Sequence, residues 1–120
     1  MPDEISVIAK TYDLTLWLLP HTAGFSRQHR FTLGSRIEEG ILETLETLVE
    51  ASYTRDKRDL LDRANRCIER LRYLLRLAKD LQLLTIKQYE FAVRALHAIG
   101  GEIGGWRKQQ TQRGSALETP

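Results

Sequence analysis

Apolar residues recur along the chain at steps of three and four, with little alternation of period two, and this pattern predicts helices rather than strands. Ile5, Ile8, Tyr12 and Leu16 set the stripe of a first helix from about Asp3 to Leu19, closed by Pro20 and followed by the loop PHTAG. A second helix is expected from Ser26 to Ala51, its stripe being Leu33, Ile37, Ile41, Leu45 and Leu48. Gly34 and Gly40 fall inside it at a cost of about 1 kcal/mol each relative to alanine, which implies the close approach of a neighbour. The third helix has the clearest pattern: Leu60, Ala64, Cys67, Leu71, Leu74, Ala78 and Leu81 form an a/d heptad seam, with Thr54 as the expected N-cap. The fourth opens on the T-x-x-Q capping box Thr85-Ile86-Lys87-Gln88, and its stripe is Ile86, Tyr89, Val93, Leu96, Ile99, Ile103 and Trp106. Short connections make neighbours antiparallel. The expected fold is therefore all-α, an antiparallel up-down-up-down four-helix bundle over residues 1–112, with a flexible tail at 113–120.

Helix four contains IGGEIGGW, which spaces Gly100 from Gly104, and Gly101 from Gly105, by one turn. Four glycines cost about 4 kcal/mol of helix propensity. Two readings offset that cost: a small-residue face that a helix or subunit can approach, or a deliberate weakening where the helix ends. No apolar span surrounds these glycines, so a membrane role is excluded.

With 120 residues, 42% hydrophobic and 28% charged, the chain has the composition of one soluble globular domain. The N-terminal MPDEISVIAK lacks the features of a signal peptide, so a cytoplasmic location is expected. Cys67, the single cysteine, lies in an apolar stripe and reads as a buried inert thiol. His21, His29 and His97 form no ligand pair with one another or with a carboxylate at helical spacing, and no nucleophile elbow or phosphate-cradling loop is present. The expectation is a chain that is not an enzyme, with no catalytic residues, no metal and no cofactor.

Charge carries more information. The net charge is only +2. Residues 37–50, however, hold five acids and no base, whereas residues 55–79 hold nine bases against four acids. At about 100° per residue, Glu39, Glu43, Glu46 and Glu50 fall within about 60° of one another, an outward acidic ridge on helix two. On helix three the bases flank the seam: Arg55, Arg63, Arg66 and Arg70 with Tyr73 on one side, Arg58, Arg72, Arg76 and Lys79 on the other. These could be solvated faces with local pairs such as Asp62 to Arg66 and Glu69 to Arg72 or Tyr73. Arginine outnumbers lysine thirteen to five, and its planar fork suits phosphate and carboxylate. Two sharper readings follow: a nucleic-acid surface on the arginines, or self-association in which the acidic ridge of one subunit docks on a basic flank of the next and closes a ring.

Three strings, RFTLGSRIEEGILETLETLVEA at 30–51, LLDRANRCIERLRYLLRLAKDLQLL at 60–84 and YEFAVRALHAIGGEIGGWRK at 89–108, together with KTYDLTLWLLPH at 10–21, resemble the accessory variability determinant (Avd) family of diversity-generating retroelements. A more distant likeness is to the four-helix proteins of ribosomal RNA intervening sequences. The resemblance implies a four-helix bundle that assembles into a pentameric barrel with a basic, pore-containing surface. It implies binding to a reverse transcriptase and to RNA or DNA, in support of mutagenic copying of a template repeat into a variable gene. Arg72 and Arg76 in L-R-Y-L-L-R-L match the family's functional basic positions; Arg63, Arg66, Arg70 and Lys79 are candidates from helix geometry. Glu39, Glu43, Glu46, Glu50, Tyr73, Gly100 and Gly104 are the candidate subunit-interface residues. The modest net charge departs from the family's more basic character and points to polymerase binding above direct nucleic-acid affinity. The alternative is a self-associating structural bundle without a nucleic-acid role.

Overall fold

The computed structural model describes residues 2–118, with side chains described for 6–112. In chain order the elements are α1 (Pro2–Ala23), α2 (Arg27–His29), a π-helical turn (Arg30–Gly34), α3 (Ser35–Tyr53), α4 (Arg58–Asp80) and α5 (Ile86–Glu118). The fold is an all-α four-helix bundle built from α1, α3, α4 and α5, and the described residues contain no strand. The side chain of Ile5 and those of the expected tail at 113–120 lie outside the described residues.

α1 packs on α3 and α5, and α4 packs on the same two helices. Cross-helix pairs run in opposite order. Between α3 and α4 they are Ala51 with Lys57, Glu43 with Cys67, and Gly40 with Leu71. Between α4 and α5 they are Lys57 with Gln110, Asp62 with Arg107, and Lys79 with Tyr89. These neighbours are thus antiparallel, as their short connections require.

The core face of α1 differs from the expected stripe. Tyr12 and Leu16 are more than half exposed, while Val7, Thr11, Leu14, Thr15, Leu18 and Thr22 are buried. Thr11 and Thr15 can occupy this face because their hydroxyls need no distant partner. Thr11 Oγ1 donates to the Val7 carbonyl and Thr15 Oγ1 to the Thr11 carbonyl, both at 2.7 Å. Pro20 does not close α1, which continues to Ala23. The backbone bond that proline forfeits is the one to the Leu16 carbonyl, on the exposed side of the helix where water can serve it.

On α4 the heptad spacing holds but the register is displaced at alternate positions. Leu61, Ala64, Ile68, Leu71, Leu75 and Ala78 are fully buried; Leu60 and Leu74 pack at the margin, and Leu81 is exposed. On α3 and α5 most of the expected stripe is inside, but Leu45 is half-buried, Ile86 is exposed, and Ala92 takes the place assigned to Val93.

Thr85 N–H donates to Gln88 Oε1 at 2.9 Å and Gln88 N–H to Thr85 Oγ1 at 3.1 Å, the reciprocal capping box expected at the start of α5. Thr54, by contrast, ends α3 instead of opening α4: its hydroxyl donates back to the Glu50 carbonyl at 2.8 Å. Lys57 takes over this corner. It is buried, its ammonium donates to the Ala51 carbonyl at 2.9 Å and to the Thr54 carbonyl, and it lies over the Trp106 ring. A cation on the last carbonyls of a helix also meets the negative end of its dipole. At the opposite end Gln82, at φ 62°, closes α4: Gln82 N–H reaches the Lys79 carbonyl and Leu83 N–H the Ala78 carbonyl, a Schellman motif.

At Gly40, α3 and α4 come close enough that a side chain would crowd the neighbouring helix. A Cβ there would stand 2.9 Å from Leu71 Cδ2 and 3.2 Å from its Cγ, and Leu71 is fully buried. At Gly104 a Cβ would meet nothing within 4 Å. Opposite outcomes are expected from the same substitution: Gly40→Ala lowers unfolding stability by about 1 kcal/mol or more, overpacking outweighing the propensity gain. Gly104→Ala raises it by up to about 1 kcal/mol. Urea denaturation of both variants checks the pair, and equal effects at the two sites would contradict it.

Candidate interaction surface on α4

The approach of Gly40 to Leu71 brings the acidic helix against the basic one and decides the fate of the arginines. Glu43 turns toward α4, where Arg63, Cys67 and Arg70 fall on one side at steps of four and three. Arg63 Nη2 donates to Glu43 Oε1 at 2.8 Å, Arg70 Nη2 to Glu43 Oε2 at 2.8 Å, and the Cys67 thiol to Glu43 Oε2 at 2.9 Å. The Cys67 hydrogen bond, then the Arg63 hydrogen bond, hold the Glu43 carboxyl down to about 2, well below the usual carboxylate range. Burial first, and the same Glu43 bond second, push the Cys67 thiol up, so it stays protonated. Cys67 is inside the protein, as its stripe position implied, and it acts as a donor in a polar cluster that the sequence reading did not contain. The donors were visible at steps of four and three along one side of α4, but which of the five α3 carboxylates faces them is set by how the two helices pack.

The two expected flanks of α4 are real but unequal. Toward α3, Arg63 and Arg70 are tied to Glu43, while Arg66 and Tyr73 face outward and are exposed. Arg66 has no ion pair among the described residues. Toward α5, Arg72 is half-buried across Gly100: its Nη2 is 3.4 Å from where a Gly100 Cβ would be, and its Nε lies 3.3 Å from Glu69 Oε1 without hydrogen-bond alignment. Lys79 sits over the Tyr89 ring and 3.3 Å from Asp80 Oδ1. Arg76 is exposed, with Asp80 Oδ2 no closer than 4.0 Å. Asp62 pairs with Arg107 of α5 at 2.6 Å, not with Arg66.

Of the acidic ridge, Glu39, Glu46 and Glu50 are exposed and only Glu43 is drawn in. An open groove between α3 and α4 is lined by Glu39, Glu43, Glu46, Arg63, Arg70 and Tyr73. It brings both charge signs together, which suits a polypeptide or a second copy of the chain better than a small ligand. The helix continues through the IGGEIGGW glycines, with Ile103 buried between the two pairs and Trp106 buried beyond them, so a weakening at the helix end does not account for these residues. Gly100 accommodates Arg72, and Gly101, Gly104 and Gly105 face open space. Among the histidines, His21 stacks on Trp17 at 3.9 Å, His29 is half-buried and His97 is exposed. No group of three or more His, Cys, Asp or Glu converges as a metal site, and no helix is long and apolar enough to cross a membrane, among the described residues.

The depressed Glu43 pKa sets a pH dependence. A carboxylate lowered on folding contributes stability above its unfolded value of 4.5 and loses that contribution as pH falls through about 2. Glu43→Gln is expected to lower stability at neutral pH by about 1 kcal/mol, given the partial exposure of the pair. It should also flatten the dependence between these two pH values. Thermal melts of both proteins across the window measure it, and parallel curves would refute the assignment.

A family model described as bAvd-like matches residues 6–110, a span that runs from α1 to Gln110, the last buried residue described on α5. No curated protein matches the chain.

Proposed function

The chain belongs to the bAvd-like family, and from that premise we propose that it is a non-enzymatic accessory protein of a diversity-generating retroelement. In this reading it forms a homo-oligomeric, pentameric scaffold that docks the element's reverse transcriptase and its RNA or DNA. The observation that carries the reading is the outward face of α4, where Arg66, Tyr73 and Arg76 are exposed within one family-matched helix. Arg72 remains in the surface as a half-buried edge over Gly100, while Arg63 and Arg70 have first to be released from Glu43.

Self-association has its own support. Tyr12 and Leu16 on α1 are 55% and 59% exposed, a cost that burial against another copy removes. Glu39, Glu46 and Glu50 are exposed on α3 and have no ion pair among the described residues, complementary in charge to exposed Arg66 and Arg76 of α4. The second reading, a structural bundle with no nucleic-acid role, is favoured by the pairing of Arg63 and Arg70 with Glu43, which neutralises part of the charge of two surface cations.

Two measurements separate these readings. Arg66→Ala with Arg76→Ala is expected to leave the melting temperature unchanged and to weaken polymerase or RNA binding about tenfold or more, with a shallower salt dependence. Unchanged binding would mean that this face is not the contact. Light scattering should give the mass of a closed ring, and Tyr12→Glu with Leu16→Glu should reduce it toward the monomer. A ring that binds neither polymerase nor nucleic acid would favour the structural bundle.

A further inference from the structure

From Leu14 to Ile37 the chain contains no aspartate or glutamate, although acids make up 16 of its 120 residues. The second half of this run forms the end of the bundle at which α1 stops and α3 begins, through α2 and the π-helical turn Arg30–Gly34. The turn changes what faces outward. Ile37, Thr44 and Ala51 recur every seventh residue and are all fully buried, and one more heptad back is Arg30. In unbroken α register Arg30 would point to the core side. The wider π winding rotates each residue by less than about 100°, and Arg30 is exposed.

The consequence is a compact cationic and aromatic surface. Phe31 is 71% exposed, with the Arg30 guanidinium 5.4 Å from its ring centroid, and Arg27 is exposed one turn earlier. Neither Arg27 nor Arg30 has an ion pair among the described residues. Of the two acids that follow, Glu38 accepts a 2.6 Å hydrogen bond from Thr22 Oγ1, and Glu39 lines the groove between α3 and α4. An exposed phenylalanine held beside a guanidinium is not needed by the core.

We propose that this turn is a separate contact for single-stranded nucleic acid, with phosphates on Arg27 and Arg30 and a base stacked on the open face of Phe31. It rests on the nucleic-acid part of the reading above but uses none of the α4 residues. An acidic protein segment would satisfy the arginines and leave Phe31 without a flat partner. A base with its phosphate supplies both groups at once, in the pairing of cation and aromatic that single-strand sites use.

The test is fluorescence anisotropy with labelled oligothymidylate and with an abasic oligomer of equal length, titrated with the full chain and its variants. Phe31→Ala is expected to weaken oligothymidylate binding about tenfold and to leave abasic binding unchanged, whereas Phe31→Trp retains both. Arg27→Ala with Arg30→Ala should weaken both probes and reduce the salt slope by about 1.4. All three side chains are exposed, and circular dichroism establishes that each variant is folded. Oligothymidylate affinity unchanged by Phe31→Ala, with Arg66→Ala and Arg76→Ala still effective, would overturn this contact alone. If the unmutated protein binds neither probe at low salt, the nucleic-acid reading falls and this contact with it. Polyglutamate binding lost in the Arg27 and Arg30 variant, with oligothymidylate binding intact, would reassign the surface to an acidic protein and overturn the proposal.

Discussion

The approach of Gly40 to Leu71 is the constraint on which the charged surface depends. With a Cβ at position 40 the two helices would have to separate by a few tenths of an ångström or repack a fully buried leucine. At the observed spacing, Glu43 reaches across to Arg63, Cys67 and Arg70 together. That cluster neutralises part of α4 from within. A stretch with nine bases and four acids looks like a uniform cationic helix, yet two of its arginines are occupied by the neighbouring helix and one is half-buried over Gly100. What remains for a partner is narrower: Arg66, Arg76 and Tyr73.

Much of the architecture was legible because it is encoded locally. The Thr85 and Gln88 capping box needs only four consecutive residues, and both its hydrogen bonds form. The seam of α4 is visible because leucine, isoleucine and alanine recur over more than five turns. The error there was one of register: Leu60 and Leu61, like Leu74 and Leu75, are adjacent, and only the neighbouring helices decide which goes fully inside. α1 was misread for a different reason. Thr11 and Thr15 are polar by composition but satisfy their hydroxyls on their own helix, and Thr22 reaches Glu38 of α3, so the core accepts all three and Tyr12 and Leu16 are left outside. The Glu43 cluster is a contact between helices. Its partners were visible singly, but their convergence follows from how closely α3 and α4 pack.

The two ends of the bundle handle cations in opposite ways. At the end where α3 passes to α4, Lys57 is buried; its ammonium is taken up by the carbonyls of Ala51 and Thr54 and by the Trp106 face, and its backbone N–H by Gln110. Its charge is spent on closing a helix. At the other end, α1 passes to α3 through a segment with no acid, and the π-helical turn rotates Arg30 out of a position that the heptad assigns to the core. A π turn sacrifices regular hydrogen bonding and persists where something offsets that loss. The turn buries Leu33 and Gly34, while Arg30 and Phe31 stand outside the core. The irregularity thus serves the packing beneath it through Leu33 and changes what the turn presents to solvent through Arg30 and Phe31. By the same reasoning the cations that can reach a partner are the exposed ones that no neighbouring helix takes up, on the outer face of α4 and at this one end.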